Sequence, residues 1–171
     1  MSTTTGPVEI SICMAGRQPP KVDAIVEEQD TNLLLDTKQV IRDTRESYRL
    51  LVNKMARQKP LGPGQVIFKN TQPARLIAIL YDLEHSPVCS DKYITTAFNN
   101  ILDILNKYKL ISVAMPLLGS TYGKIPEQVF IKLLQESLTI RDQVYPGKIV
   151  LMVPPARLDY IRAVIGGNCN E

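Results

Sequence analysis

The sequence predicts a single α/β domain in which a largely parallel sheet lies between two layers of helices. In its second half, continuously apolar runs typical of buried strands alternate with segments whose apolar residues recur at helical spacing. The strand-like runs cover 76–81, 110–115 and 149–153. Strands joined through helices pair in parallel and place helices on both faces of the sheet, which gives a three-layer α/β/α fold. The length of 171 residues suits one domain spanning 1–171.

The first half contributes further elements. Alternating apolar and polar residues at 8–12 predict a strand with one covered face, and β-rich runs predict strands at 22–26 and 65–68. A long amphipathic helix is predicted at 37–58, and Asp36 can cap its start. Residues 1–7 and 166–171 are predicted to be loose tails.

Three helices are predicted in the second half. Asp91 can cap the first of them, and Pro126 suits the first turn of the second. A short third helix is expected at 156–165. The first helix has six apolar residues at helical spacing: Ile94, Ala97, Phe98, Ile101, Leu102 and Leu105.

Composition excludes several classes of protein. Three widely spaced cysteines and a single histidine, His85, argue against a disulfide framework and a zinc site, and they fit a reducing compartment. The start of the chain lacks the pattern of a secretory signal, and no apolar stretch reaches the roughly 20 residues of a membrane helix. We therefore expect a cytoplasmic protein with no metal, no cofactor and no membrane partner.

The charge of the chain says little about its ligand or partners. The net charge of +3 is compatible with an anionic ligand but does not demand one. Basic residues recur along the predicted 37–58 helix, but acidic residues are interleaved with them, which is typical of a solvated face. This pattern argues against nucleic acid as a partner.

The most informative segment follows the predicted strand at 110–115. It reads MPLLGSTYGKIP over 115–126, a turn with two glycines, two hydroxyls and a tyrosine that leads directly into a helix. Ligands of open α/β sheets bind at the C-terminal ends of strands, and backbone N–H groups at a helix start attract phosphate. A tight strand-to-helix connection is the simpler alternative, and glycine spacing alone favours it. The candidate ligand-binding residues are Leu118, Gly119, Ser120, Thr121, Tyr122, Gly123 and Lys124.

This segment resembles the second ligand loop of macro domains, a fold best known for binding ADP-ribose-type nucleotides. Ser120 matches the hydroxyl position of that loop, and Tyr122 has a frequent counterpart. Thr121 replaces the usual glycine that lies against the diphosphate. The resemblance implies a macro-like three-layer fold with a mixed, mostly parallel sheet. Four further positions match in place: Pro116, Gly119, Gly123 and Pro126.

The first half departs from the family pattern. The run VDAIV at 22–26 resembles the strand that precedes Asn-Ala-Ala-Asn in macro domains, but EEQD follows it here. Three leucines, 33–35, lie roughly where the family has its first phosphate loop with a glycine triplet. The asparagines that position the distal ribose in de-ADP-ribosylating members are therefore missing. We expect a divergent branch with no catalytic residues.

Two more candidates follow the strand at 76–81. Tyr81 stands where the family commonly has a histidine bordering the pocket, and Asp82 is a candidate carboxylate at the pocket edge. A solvated strand end is the alternative for Asp82. His85 has the side chain whose unperturbed pKa lies nearest neutrality, but a lone histidine in a polar loop is most often simply exposed.

The sequence thus supports three functional hypotheses. The first is a binding module for a nucleotide or ADP-ribose-like phosphate ligand at the 117–125 loop. The second is a hydrolase of ADP-ribose esters or related phosphoesters, against which the missing asparagines weigh. The third is a scaffold or protein-interaction domain with a degenerate pocket. An open cleft favours the first two, and a pocket filled by leucines 33–35 favours the third.

Overall fold

A computed structural model describes residues 2–5, 8–16, 20–33, 35, 59–141 and 145–167. The predicted 37–58 helix, with its cap Asp36, lies outside these residues. Within the described part of the chain, no helix is long and apolar enough to cross a membrane.

The described residues form a seven-stranded mixed sheet. Its strand order is β1-β2-β7-β6-β3-β5-β4. The four central pairings, β2 with β7, β7 with β6, β6 with β3 and β3 with β5, are parallel, whereas the two outer pairings are antiparallel. The strands are β1 (Ser2–Thr5), β2 (Val8–Met14), β3 (Ala24–Asp30), β4 (Val66–Lys69), β5 (Ala74–Tyr81), β6 (Ser112–Pro116) and β7 (Lys148–Val153).

The central strands are buried on both faces, as the apolar runs predict. Successive side chains of a strand point to opposite faces, and neighbours such as Leu76 and Ile77, or Val113 and Ala114, are all buried. Strand β6 lies inside the sheet and runs parallel to β5 across β3. The predicted mixed, mostly parallel α/β architecture is confirmed.

Three α-helices are described: α1 (Asp91–Lys107), α2 (Glu127–Thr139) and α3 (Leu158–Gly167), the last preceded by a 3₁₀ turn at Pro155–Arg157. The six predicted apolar residues of α1 are all buried. Phe98 and Phe130, whose ring centroids lie 5.5 Å apart, join α1 to α2. The cap of α1 is Ser90, which accepts a hydrogen bond from the Tyr93 N–H, whereas Asp91 is the first helical residue.

Other boundaries differ from the predictions. Residues 2–5 form β1, paired with β2, where the sequence predicts a loose tail. Four threonine and serine residues carry no apolar pattern, so only their backbone pairing reveals this strand. Residues 166 and 167 belong to α3, and 168–171 lie outside the described residues. The strand predicted at 22–26 begins at Ala24 and continues to Asp30.

Candidate functional site

The 117–125 loop connects the C-terminal end of β6 to the start of α2. Gly119 adopts a φ of 79°, and Lys124 has a φ of 54°. The Ile125 N–H donates to the Gly119 carbonyl at 3.1 Å, which closes the loop. The Ser120 N–H and hydroxyl both donate to the Leu117 carbonyl, at 3.1 and 2.6 Å. The hydroxyl hydrogen of Ser120 is therefore already used inside the loop.

A buried carboxylate holds this loop against the sheet. Glu28, near the end of β3, is 4% exposed. Its Oε1 accepts hydrogen bonds from the Gly119 N–H at 2.6 Å and from the Tyr81 hydroxyl at 3.0 Å. The Tyr81 hydroxyl in turn accepts the Tyr122 N–H. Two of the loop's backbone donors thus belong to an internal network with Glu28 and Tyr81.

The position of Tyr81 depends on an irregularity in the sheet. The β3–β5 register shifts at the end of the two strands, so that Gln29 pairs with Ile79 while Asp30 pairs with Tyr81. The shift skips one residue of β5, and both Leu80 and Tyr81 are fully buried in the same core cluster. A register shift of this kind turns successive side chains onto one face. It delivers the Tyr81 hydroxyl to Glu28.

Burial dominates the electrostatics of this network. Loss of hydration raises the pKa of Glu28, and the hydrogen bonds from Gly119 and Tyr81 lower it by less. Burial, together with the Glu28 charge and its hydrogen bond, raises the pKa of the Tyr81 hydroxyl. Burial and the Glu28 charge also raise the pKa of the Cys89 thiol to about 11. Tyr81 and Cys89 are therefore neutral neighbours of Glu28 at ordinary pH.

The loop glycines are required by packing inside the protein. A Cβ on Gly119 would lie 2.7 Å from the Ile94 side chain. A Cβ on Gly123 would lie 2.5 Å from the Cys89 Cβ and 2.7 Å from the Gly119 carbonyl. The sequence suggested that these glycines let a ligand approach. Their missing side chains instead make room for α1 and for the segment that carries Cys89.

Free backbone donors remain in the exposed part of the loop. Within the described chain, the N–H groups of Thr121, Gly123 and Lys124 have no hydrogen-bond partner. Thr121 and Lys124 are exposed, and the Tyr122 ring is 50% exposed while its edge contacts Tyr81. These three N–H groups precede α2, whose dipole places partial positive charge at that end.

A groove of about 960 Å³ runs along the sheet beside the loop. Its size suits a nucleotide-sized ligand. The loop contributes Thr121 and Tyr122 to its wall, and β3 contributes Glu28. Other lining residues include Ile25, Pro116, Met152, Glu27 and Arg75, and the groove extends to 20–22 and 71–73. Leu33 and Leu35 are not among the residues that line this groove, and 34 lies outside the described residues.

The remaining candidates lie apart from the free donors. Leu118 and Tyr81 are fully buried, so neither side chain is open to a ligand. Asp82 accepts hydrogen bonds from the Glu84 and His85 N–H groups, and His85 Nδ1 lies 3.0 Å from it. The hydrogen bond from His85 holds the pKa of Asp82 below its ordinary value. Asp82 therefore stabilises its own turn. Among the described residues, no three His, Cys, Asp or Glu side chains are grouped to hold a metal ion.

Solved structures identify the architecture. No protein-family model matches the sequence, and no match was found among curated protein sequences. The Oceanobacillus iheyensis macrodomain with ADP is similar to this chain with a TM-score of 0.70, covering 99% of this chain and 94% of that one at 14% identity. The Thermus aquaticus DarG macrodomain gives a TM-score of 0.58 over 85% and 98% of the two chains at 17% identity. For the GDAP2 macro domain the TM-score is 0.62, over 91% and 83% at 13% identity.

The chain has the macrodomain fold. One of its departures from the family pattern, the EEQD run, lies at the end of β3. Glu27, at the first position of EEQD, pairs with Arg75, whose Nε lies 2.9 Å from a carboxylate oxygen. Asp30, at the last position, is fully buried and accepts the N–H groups of Asn32 and Leu35, both at 2.7 Å. Here the strand end of the macrodomain fold carries carboxylates that hold the protein's own backbone and side chains.

Sequence reasoning missed the role of Glu28. Its only signal is an acidic residue near the end of a strand whose alternate positions, Ala24 and Val26, are buried. Period-two alternation places Glu28 on that same covered face. The partner N–H of Gly119 lies 91 positions away, and no local pattern reveals it.

Proposed function

We propose that this macrodomain-fold chain binds a nucleotide or an ADP-ribose-like phosphate ligand, with the phosphates at the exposed part of the 117–125 loop. The observation that carries the proposal is the set of three N–H groups, at Thr121, Gly123 and Lys124 before α2, that have no partner among the described residues. Backbone donors at a helix start attract phosphate without a dedicated basic side chain. The adjoining groove offers space and apolar walls for the sugar and base.

Structural relatives support the same ligand class. The Oceanobacillus iheyensis macrodomain has been solved with ADP and, as a point mutant, with ADPR. At 14% identity this likeness establishes the fold alone, so the proposal for the present chain rests on its own loop and groove.

Calorimetric titration of the full chain with ADP-ribose, ADP and AMP tests the proposal. Tyr122→Ala should weaken binding about fivefold or more, because the half-exposed ring faces the groove and can stack on the ligand. Tyr160→Ala is the matched control, since Tyr160 is 40% exposed on α3 and does not line the groove. Absence of binding to all three nucleotides would reject the proposal.

A second candidate is a scaffold whose pocket no longer takes a ligand. One observation favours it: the carboxylate of Glu28 already occupies the Gly119 N–H and places an acidic group beside the loop. Under this alternative, calorimetry shows no nucleotide binding although the protein is folded. Hydrolysis of ADP-ribose esters remains disfavoured by the missing asparagines, and release of ADP-ribose from modified protein by the purified chain would contradict that prediction.

A further inference from the structure

Within the described part of the chain, Glu28 has one carboxylate oxygen without a hydrogen-bond partner. Both hydrogen bonds of this side chain go to Oε1, from Gly119 and from Tyr81. Within the described residues, Oε2 makes no hydrogen bond. An unsatisfied oxygen on a carboxylate that is 4% exposed is costly, and such atoms normally meet water, an ion or a ligand. The same residue lines the groove beside the loop.

We infer that Glu28 is a specificity-determining residue whose free carboxylate oxygen receives a hydrogen-bond donor of the ligand, either a hydroxyl of the distal sugar or an amino group of the base. This inference rests on the proposed function, and it deepens it by dividing the site into two chemical halves. Phosphates bind the N–H groups of Thr121, Gly123 and Lys124, and a donor-bearing group faces Glu28.

Charge supports this division. A phosphate placed against Glu28 would bring two anions together in a poorly hydrated site, which is strongly unfavourable. A hydroxyl or amino donor instead forms a charge-assisted hydrogen bond, about twice as strong as one between neutral groups. The neighbouring titratable groups, Tyr81 and Cys89, stay protonated because burial raises both of their pKa values. They therefore add no second negative charge beside Glu28.

Glu28→Gln tests the inference with little change of shape. The amide oxygen can accept from Gly119 and Tyr81 as Oε1 does, so the amide nitrogen takes the place of the free oxygen. An acceptor then becomes a donor. A ligand amino group meets another donor and should lose more than tenfold in affinity, whereas a hydroxyl can turn to accept and should lose about fivefold.

The experiment compares three ligands by calorimetry: ADP-ribose, ADP and IDP. ADP lacks the distal sugar, and IDP carries a carbonyl in place of the base amino group. If Glu28 meets the sugar, Glu28→Gln lowers the preference for ADP-ribose over ADP and leaves the preference for ADP over IDP. If Glu28 meets the base, the second preference falls. Glu136→Gln removes the same charge from an exposed site on α2, and it should leave both preferences within twofold.

Two results would overturn the inference although the parent chain binds. One is that neither preference changes in Glu28→Gln. The other is that the variant binds all three ligands more tightly in equal measure, which would show that Glu28 acts by repelling phosphate. A parent that binds none of the ligands would instead reject the proposed function itself. If Glu28→Gln does not fold, the ¹³C carboxyl shift of Glu28 in the parent replaces it: ADP-ribose should move this shift, and an unmoved shift at saturation would reject the contact.

Discussion

The backbone N–H of Gly119 lies 2.6 Å from a carboxylate oxygen of Glu28, 91 positions earlier in the chain. This hydrogen bond ties the 117–125 loop to the central strand β3 and fixes the depth at which the loop sits. The exposed donors beyond Gly119 are positioned by this one buried contact. The site therefore depends on Glu28 and Tyr81 even though Tyr81 is closed to a ligand.

Tyr81→Phe should destabilise the fold. The change removes the hydroxyl that donates to Glu28 and leaves the Tyr122 N–H without its acceptor. We expect a loss of about 1–3 kcal/mol in the free energy of unfolding, measured by urea denaturation. Tyr108→Phe is the control, since this tyrosine is 46% exposed and its hydroxyl makes no hydrogen bond within the described residues. An equal effect of the two substitutions would mean that the buried network contributes nothing.

The stability of the parent chain should depend on pH through Glu28. Burial raises its folded-state pKa above the ordinary value of 4.5, so the folded state holds the proton more tightly than the unfolded state. The stabilisation that protonation provides is complete below pH 4.5 and is lost as the pH rises through the folded-state pKa. Glu28→Gln removes this titration.

Urea denaturation of the parent and of Glu28→Gln at several pH values between 4.5 and 8 measures this effect. As the pH rises, the free energy of unfolding of the variant, minus that of the parent, should increase, because only the parent loses the stabilisation from the Glu28 proton. Tyr81 and Cys89, the titratable groups that face Glu28, do not ionise in this range because burial raises their pKa values. A variant that instead loses stability relative to the parent as the pH rises would mean that the pKa of Glu28 is lowered in the fold.

Gly123→Ala should destabilise the fold of the protein even when no ligand is present. The new Cβ would lie 2.5 Å from the Cys89 Cβ, a distance that requires the backbone to shift. We expect a cost of about 1–3 kcal/mol, the usual range for overpacking, in the free energy of unfolding. Gly166→Ala, with nothing within 4 Å of its Cβ, should change stability by about 1 kcal/mol or less. A fully stable Gly123→Ala would contradict the packing described for this loop.

Lys124→Gly separates stability from binding. Lys124 has a φ of 54°, which glycine adopts at lower cost, so the variant should be as stable as the parent or gain up to about 1 kcal/mol. Loss of the exposed charge should weaken phosphate-ligand binding by about 1 kcal/mol. Lys109→Gly is matched in backbone conformation, also at a φ of 54°, but lies away from the loop and should leave binding unchanged. Equal affinities of the two variants would show that the Lys124 side chain contributes nothing to binding, whatever its backbone N–H does.

Much of the architecture is predictable because buried helix and strand faces require apolar residues at regular spacing in the sequence. The apolar stripe of α1 and the continuous runs of β5 and β6 are required by close packing on the sheet, and the structure bears them out. Strand β1 is different, since Ser2–Thr5 pairs through its backbone at an edge. Backbone pairing leaves no pattern in side-chain chemistry, so no sequence pattern predicts that strand.

The candidate site was predictable only in part. The position of the loop follows from the rule that parallel strands present their C-terminal ends to ligands. The contact of Glu28 with Gly119 joins residues distant in sequence, and the register shift beside Tyr81 depends on how β3 and β5 meet. Both arise from tertiary packing, which single-sequence patterns do not encode.

Amide-resolved NMR titration with ADP-ribose tests the central claim most directly. The N–H signals of Thr121, Gly123 and Lys124 should show the largest shifts, because these are the unpartnered donors of the loop. A smaller groove of about 500 Å³ at the other end of the sheet provides the internal comparison. The residues that line it and not the larger groove include Phe68, Asn70 and 108–111, and their amide signals should stay unchanged. Saturable shifts centred on Phe68, Asn70 and 108–111, with the amides of 121–124 unmoved, would place the ligand elsewhere and contradict this account.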